Sequence, residues 1–323
     1  MNKDKFRGCL VGGAAGDALG YMVEFLTEER IFALLGEGGI REFALTDGKA
    51  LISDDTQMTL FTASALLKDG DVIANIADAY RLWRITQTEK FTGKEYDEPL
   101  MSVRELWNRR APGNTCMTAI GNGCKGTMDN PINKSKGCGG VMRVAPIGLA
   151  GFDDMVGAKA AALTHGHELG YIPAACLVHI VRCLAREDMP LRNAVEEAIT
   201  ASSLMFAGKE DIGFFVSLMN RALELTDSDL PDLEAIHELG EGWVAEETLA
   251  IAVFCALRHE NDFGKAIIAA VNHNGDSDST GAVCGNILGA CLGMDAIPDK
   301  FKTNLELFDL CVDLADKLYE KFI

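Results

Sequence analysis

Residues 271–290 read Val-Asn-His-Asn-Gly-Asp-Ser-Asp-Ser-Thr-Gly-Ala-Val-Cys-Gly-Asn-Ile-Leu-Gly-Ala. Asp276, Asp278, Ser279 and Thr280 crowd five positions, and an apolar, glycine-rich run follows at once. That run predicts a buried helix, because small residues let helices approach closely. The acidic group then sits in its first turn, where free N–H groups and the backbone dipole favour negative charge. Asp and Ser are ordinary N-cap residues, and one carboxylate there would need no further account. Two carboxylates with two hydroxyls exceed what capping needs. Hard divalent cations take such oxygen ligands.

A second stretch repeats the pattern: Ser53-Asp54-Asp55-Thr56-Gln57-Met58-Thr59-Leu60-Phe61. Ser53 reads as an N-cap, and Met58, Phe61, Ala65 and Leu66 fall on one helical face. Alone, this is a well-charged helix start. If the two helix starts face each other, four carboxylates meet at one point, where they repel and resist ionisation. One or two divalent cations would remove that cost. An all-oxygen shell selects Mg²⁺, Mn²⁺ or Ca²⁺ over zinc or copper.

The rest of the chain bounds this picture. The 323 residues are 48% hydrophobic and 24% charged, as in an ordinary soluble protein, with room for one large domain or two smaller ones. A formal net charge of −18 argues against a nucleic-acid-coating protein. It also means that an anionic ligand needs local positive potential. The 10 cysteines include no Cys-x-x-Cys pair, and Cys176/Cys183 and Cys284/Cys291 lie on apolar helical runs. Reduced thiols and a cytoplasmic location are expected. The basic start and Cys9-Leu10-Val11 faintly imitate a signal peptide, but Asp17 interrupts the run. No unbroken run of about 18 strongly apolar residues suggests a membrane span.

Helical periodicity recurs over residues 3–19, 53–66, 71–87, 153–164, 169–185, 190–206, 210–226, 231–239, 244–258, 262–271 and 301–321, with a short helix near 100–107. Only Arg41–Thr46 hints at a strand. No linker, compositional break or fixed-period repeat divides the chain. The expectation is an all-α fold: one compact domain of orthogonal helices, about a dozen, spanning 1–323. The loop 129–140, Asp-Asn-Pro-Ile-Asn-Lys-Ser-Lys-Gly-Cys-Gly-Gly, precedes a helical run and is either a phosphate cradle or a flexible connection. His165 and His167 have no third soft ligand at a familiar spacing, which favours capping or supporting polar roles over zinc.

Taken in order, these stretches resemble the ADP-ribosylglycohydrolase family. The resemblance rests on Gly16-Asp17-Ala18-Leu19-Gly20 with Val23-Glu24-Phe25; Ser53-Asp54-Asp55-Thr56-x-Met58; Gly137–Gly140 with Met142-Arg143-Val144-Ala145-Pro146; Thr164-His165; Trp243-Val244-Ala245-Glu246-Glu247; and Asn274-Gly275-Asp276-Ser277-Asp278-Ser279-Thr280-Gly281. Each is weak alone, but the ordered set spans almost the whole chain. The resemblance implies an all-α enzyme with two divalent cations, Mg²⁺ or Mn²⁺, held by Ser53, Asp54, Asp55, Asp276, Asp278 and Ser279. It implies catalytic parts for Glu24, Asp54, Asp55 and Asp278, and contacts to ADP-ribose from Gly137, Cys138, Gly139, Gly140 and His165. Positions 53 and 279 are often Thr in the family, and Asn-Gly often stands where this chain has Cys138-Gly139.

The implied reaction is hydrolysis of the glycosidic bond between ADP-ribose and an acceptor such as arginine or serine. The cations would hold the distal ribose and acidify a water, and Asp54, Asp55 or Glu24 would take its proton. Asp54 and Asp55 are not a metal-free glycosidase pair, since neighbours on one helical turn cannot flank a sugar. The expected partner is an ADP-ribosylated protein or ADP-ribose conjugate, acted on by a monomer, with no membrane, and with nucleic acid only as a modified substrate. Two rival readings are hydrolysis of another ribosyl or nucleotide bond, and non-enzymatic binding of ADP-ribose.

Overall fold

The computed structural model describes residues 2–323. Among these, fifteen α-helices and five short 3₁₀ turns carry the regular structure, with no strand. In chain order the helices are α1 (Lys3–Gly20), α2 (Glu28–Leu35), α3 (Asp54–Leu66), α4 (Val72–Thr88), α5 (Asn114–Gly121), α6 (Ala145–Ala150), α7 (Asp154–Ala162), α8 (Glu168–Arg186), α9 (Leu191–Met205), α10 (Ile212–Thr226), α11 (Asp232–Leu239), α12 (Ala245–Arg258), α13 (Phe263–Val271), α14 (Ser277–Leu292) and α15 (Phe308–Phe322).

The all-α expectation holds, and so do most of the helical periods. The exceptions have local causes. Arg41–Thr46 forms no strand; Thr46 and Lys49 only close a turn. The helix α2 is absent from the sequence expectation. Thr27 caps it by accepting from the Arg30 N–H at 3.3 Å, but only Ile31 is buried, so its apolar period is faint. The helix α5, after Pro112-Gly113, is likewise absent from the sequence expectation. The final helix begins at Phe308, not 301, because Leu307 adopts a left-handed backbone (φ 60°) that breaks the run. The short helix expected near 100–107 is two 3₁₀ turns.

The centre of the fold is an antiparallel pair, α1 and α14. Gly8, Gly12, Gly16 and Gly20 recur every fourth residue on α1, and Gly281, Gly285 and Gly289 do so on α14. A Cβ placed on Gly12 would lie 2.4 Å from the Gly285 carbonyl oxygen, and one on Gly16 would lie 1.9 Å from that of Gly281. The two backbones therefore touch, and no side chain can come between them. Asn286 reinforces the contact by donating from Nδ2 to the Cys9 carbonyl at 2.8 Å. This antiparallel register sets the C-terminal end of α1 beside the first turn of α14, since Gly20 packs against Ser277.

Around this pair lie α3, α8, α12, α13 and α15, and the buried apolar side chains form one continuous cluster from Phe6 to Leu318. The helix α3 is buried on every side, not on one face. Its polar side chains accordingly pair inside: Gln57 Oε1 accepts from Trp83 Nε1 at 3.1 Å, and Thr62 Oγ1 meets Tyr80 Oη at 2.8 Å. Among the described residues one helix, α8, is long and apolar enough to cross a membrane, but 89% of its most apolar window is buried inside the fold. All 10 cysteines are free.

The glycine contact generates a prediction. Gly12→Ala or Gly285→Ala forces a methyl into a backbone carbonyl, which should cost about 3 kcal/mol or more, at or beyond the upper end of ordinary overpacking. Gly213, exposed at the start of α10, has open space at its Cβ position. Gly213→Ala should be neutral or stabilise by up to about 1 kcal/mol. Equilibrium denaturation of the three variants checks the contrast.

Candidate active site

Three chain segments bring their carboxylates together. Ser53 caps α3, its Oγ accepting from the Asp55 N–H at 3.1 Å. The start of α3 is also held from outside by Asp17 on α1. That carboxylate accepts from the Ser53 N–H at 2.9 Å, from the Thr56 N–H at 3.0 Å and from the Thr56 hydroxyl. The start of α14 meets the start of α3 directly, with Ser279 Oγ donating to Asp55 Oδ2 at 2.8 Å across 224 residues of chain. The two acidic corners therefore touch.

Glu24, in the turn after α1, completes the group. Carboxylate oxygens of Glu24, Asp276 and Asp278 lie within 4.8 Å of one another. Glu24 Oε2 is buried and has no hydrogen-bond partner. Six acids thus crowd one corner: Asp17, Glu24, Asp54, Asp55, Asp276 and Asp278, each no more than 8% exposed.

The electrostatics follow from that crowding. Burial first, and then the charges of Asp278, Asp276 and Asp54, push the Glu24 carboxyl up to about 10. Burial and Asp278 raise Asp17 to about 7, against the bonds from Thr56 and Ser53 that oppose the rise. Asp54, Asp55 and Asp276 are raised by burial and then by Asp278. Asp278 itself is raised by burial, although bonds to Asp276 and Ser53 pull the other way.

The corner floors a cleft of about 610 Å³, a size suited to a small organic ligand. Of the residues expected at the site, Glu24, Asp54, Asp55, Gly137, Cys138, Gly139, His165, Asp276, Asp278 and Ser279 line it. Ser53 and Gly140 do not. Ser53 lies fully buried behind the corner. Gly140 packs against α8, where an added Cβ would meet the Gly170 carbonyl at 2.5 Å.

The loop at 137–140 is not a fully open cradle. The Gly137 N–H donates to Ser135 Oγ at 3.3 Å, and the Cys138 N–H to the Trp243 carbonyl at 3.3 Å. With Ala245 N–H donating to the Lys136 carbonyl at 2.9 Å, the loop is laced to the strip before α12. The Cys138 thiol, between Asp276 and Ser279, is pushed up by burial and by the charges of Asp276 and Asp55, so it stays protonated.

His165 is fixed from below. Its Nδ1 meets Thr164 Oγ1 at 2.8 Å, and Thr164 accepts from Arg143 Nη2 at 2.6 Å. Arg143 is fully buried and its guanidinium lies 4.4 Å from the centre of the Tyr80 ring. Burial and the Arg143 charge lower His165 to about 3, so the ring presents a neutral imidazole. His167 caps α8, accepting from the Leu169 N–H at 3.2 Å, as the capping reading expected.

Some lining residues escaped the sequence reading of roles. Arg109 and the first turn of α5, Asn114-Thr115-Cys116, form one wall; the N-cap Gly113 has no side chain to cap that start, and its own N–H donates to Asp54 Oδ2 at 3.3 Å. Phe25 and Trp243 stack at the mouth, centroids 6.4 Å apart and 24° from parallel. Asp17 and Arg143 did carry a signal: each is a lone charge inside a run of small or apolar residues.

The donor set fits divalent cations. It offers carboxylates and a hydroxyl, one buried carboxylate oxygen without a partner, and, among the described residues lining the cleft, a single permanently charged cation, Arg109. Such a group needs either protons or cations to be stable.

A model of the family described as ADP-ribosylglycohydrolase matches residues 1–323. The chain is 26% identical over 355 residues to the mouse ADP-ribosylhydrolase ARH3, covering 98% of this chain and 92% of that one. It is 27% identical over 320 residues to an ADP-ribosyl dinitrogen-reductase glycohydrolase of Rhodospirillum rubrum, covering 94% and 91%. A solved structure titled as an ADP-ribosylglycohydrolase-related protein complex superposes with a TM-score of 0.68 at 26% identity, covering 99% of both chains.

The crowding also sets a pH dependence. A carboxyl held above its ordinary value keeps its proton in the folded protein after the unfolded chain has released it, so stability falls as pH rises. In chelator the loss should begin above about pH 4 and run through 7 toward 10, the values for Asp17 and Glu24. Asp278→Asn should flatten this slope and raise the melting temperature at pH 8, by about 2–4 °C per kcal/mol relieved. Calorimetric melts of both proteins across pH 5–9 check it.

Proposed function

The chain belongs to the ADP-ribosylglycohydrolase family, and from that premise we propose that it hydrolyses the bond between ADP-ribose and an acceptor side chain using two divalent cations held in the acidic corner. The observation that carries the proposal is the bond from Ser279 to Asp55, with Glu24 Oε2 left unpartnered beside it. It supports one pooled set of oxygen ligands rather than two separate helix caps.

In this reading Asp54, Asp55, Asp276, Asp278 and Ser279 hold the cations, and Ser53 orients Asp55 and Asp278 from behind. When bound, Mg²⁺ or Mn²⁺ supplies Lewis acidity toward the ribose hydroxyls and a water. Glu24 stands at the cleft, uncommitted by hydrogen bonds; cations that offset the charges of Asp278, Asp276 and Asp54 would let it ionise, and as a carboxylate it takes the proton from the attacking water. The bond from C1″ to the acceptor breaks as the water oxygen bonds to C1″, and the proton returns to the leaving atom.

The diphosphate needs positive potential in a chain of charge −18. Arg109 and the uncapped start of α5 offer it, alongside the Gly137–Gly139 loop. His165, neutral under Arg143, offers a hydrogen bond without adding charge. The stacked Phe25 and Trp243 give the mouth an apolar rim where an acceptor enters. The relative named for dinitrogen reductase supports a protein acceptor. Ten free thiols support a reducing, cytoplasmic setting.

Incubation with arginine-, serine- and DNA-linked ADP-ribose conjugates and free nucleotides, with and without EDTA, tests the reading. Release of ADP-ribose from a protein conjugate, abolished by EDTA and restored by Mn²⁺ or Mg²⁺, is expected. Turnover undiminished in EDTA would refute the metal requirement, and cleavage of free nucleotides alone would refute the acceptor class. Mn²⁺ at about 100 times its Kd should raise the melting temperature by about 5–10 °C. Asp55→Ala should abolish that rise and lower turnover by about 100-fold or more.

A further inference from the structure

A second cluster lies on the α7–α8–α9 face. His179 and Cys183 stand one turn apart on α8, on one side of the helix, and Glu197 reaches over from α9. One ligand atom from each of the three lies within 4.8 Å of the other two. None of the three lines the acidic cleft. His179 is about 16 Å along α8 from its first residue, at the usual helical rise.

The imidazole is oriented as in a metal site. Asp154 Oδ2 lies 2.7 Å from Nδ1, so that nitrogen donates; Arg182 Nη2, 3.1 Å from the same nitrogen, donates to Asp154 Oδ1 instead, and in the neutral ring the lone pair sits on Nε2. Nε2 is buried, on a residue 5% exposed, and makes no hydrogen bond. Glu197 Oε1 stands 3.4 Å from it without the alignment of a bond. A carboxylate behind a ligating histidine is the usual support for such a ring. Arg182 pairs with that same Asp154 at 3.1 Å, which removes its charge from the balance.

We propose that His179, Cys183 and Glu197 form a binding site for one soft divalent cation of the zinc class. A thiolate and a carboxylate match its two charges, and on binding the thiol proton and the Nε2 proton of the charged ring are released to solvent. Sulfur and imidazole select zinc over magnesium. Tetrahedral zinc places its ligand atoms roughly 3.3–3.7 Å apart, given bonds of about 2.0–2.3 Å. The Glu197 side chain, 54% exposed, can close the remaining distance, and it leaves the fourth position to solvent. A salt bridge is the simpler account. Burial pulls His179 down, but the Asp154 bond and Cys183 push it up to about 10, giving an imidazolium between two acids. That account leaves Nε2 without a bond.

The test titrates the full-length protein with Co²⁺ in excess Mg²⁺. One equivalent should give a near-ultraviolet thiolate-to-cobalt band, lost in Cys183→Ser and kept in Cys138→Ser, which removes the thiol of the cleft. Calorimetry with Zn²⁺ should show Asp154→Asn weakening binding by about 10–100-fold. Glu197→Ala, at a surface position that cannot threaten folding, should weaken it by about tenfold or more with ADP-ribosyl hydrolysis unchanged. No band at millimolar Co²⁺, a band indifferent to Cys183→Ser, or full Zn²⁺ affinity in Glu197→Ala would overturn the proposal.

Discussion

Backbone contact between α1 and α14 is the constraint on which the other features rest. Gly8, Gly12, Gly16 and Gly20 face Gly289, Gly285, Gly281 and Ser277 in antiparallel register. Two helices this close cannot slide by one residue without driving side chains into backbone. The end of α1 therefore has only one place to be, beside the first turn of α14. Asp17 then holds the start of α3 against the same point through Ser53 and Thr56. The acidic corner is assembled by packing and by these hydrogen bonds, and its charges oppose the assembly.

The arrangement divides labour between floor and walls. The floor is negative and desolvated, and holds acids above their ordinary range. The walls supply what an anionic ligand needs: Arg109, the start of α5, and a loop held to the strip at Trp243. A diphosphate placed on the floor would meet five acids, Glu24, Asp54, Asp55, Asp276 and Asp278. Placed along the α5 wall, it meets helix N–H groups instead. The chain's overall negative charge is thus compatible with an anionic ligand bound at one wall.

Much of this was legible in the sequence. The two acidic helix starts at 53–55 and 276–279 could be read from residue types alone, and most helical periods followed from apolar spacing. Whether the corners meet could be asked of the sequence but not answered by it, because no local signal states which helix ends touch. Glycine spacing on α1 and α14 was visible as well. Its pairing was not, since shifting one helix by a full turn leaves the same pattern. The helix α2 was missed because a helix lying on the surface needs little apolar period. The break at Leu307 was missed because nothing in Leu-Glu-Leu-Phe announces a left-handed residue. Ser53 and Gly140, grouped with the site by resemblance, do not line the cleft, and apolar spacing gives no sign of that.

Asp17 carries a wider lesson about assigning roles by loss of activity. Its carboxylate accepts from two amides and a hydroxyl, and is fully enclosed. An alanine scan scored by turnover alone would rank it with Asp55 and Asp278. Yet it lies outside the cleft lining, and its neighbours are protein. Its removal would unmoor one helix end from another, so the chemistry would stop for want of alignment.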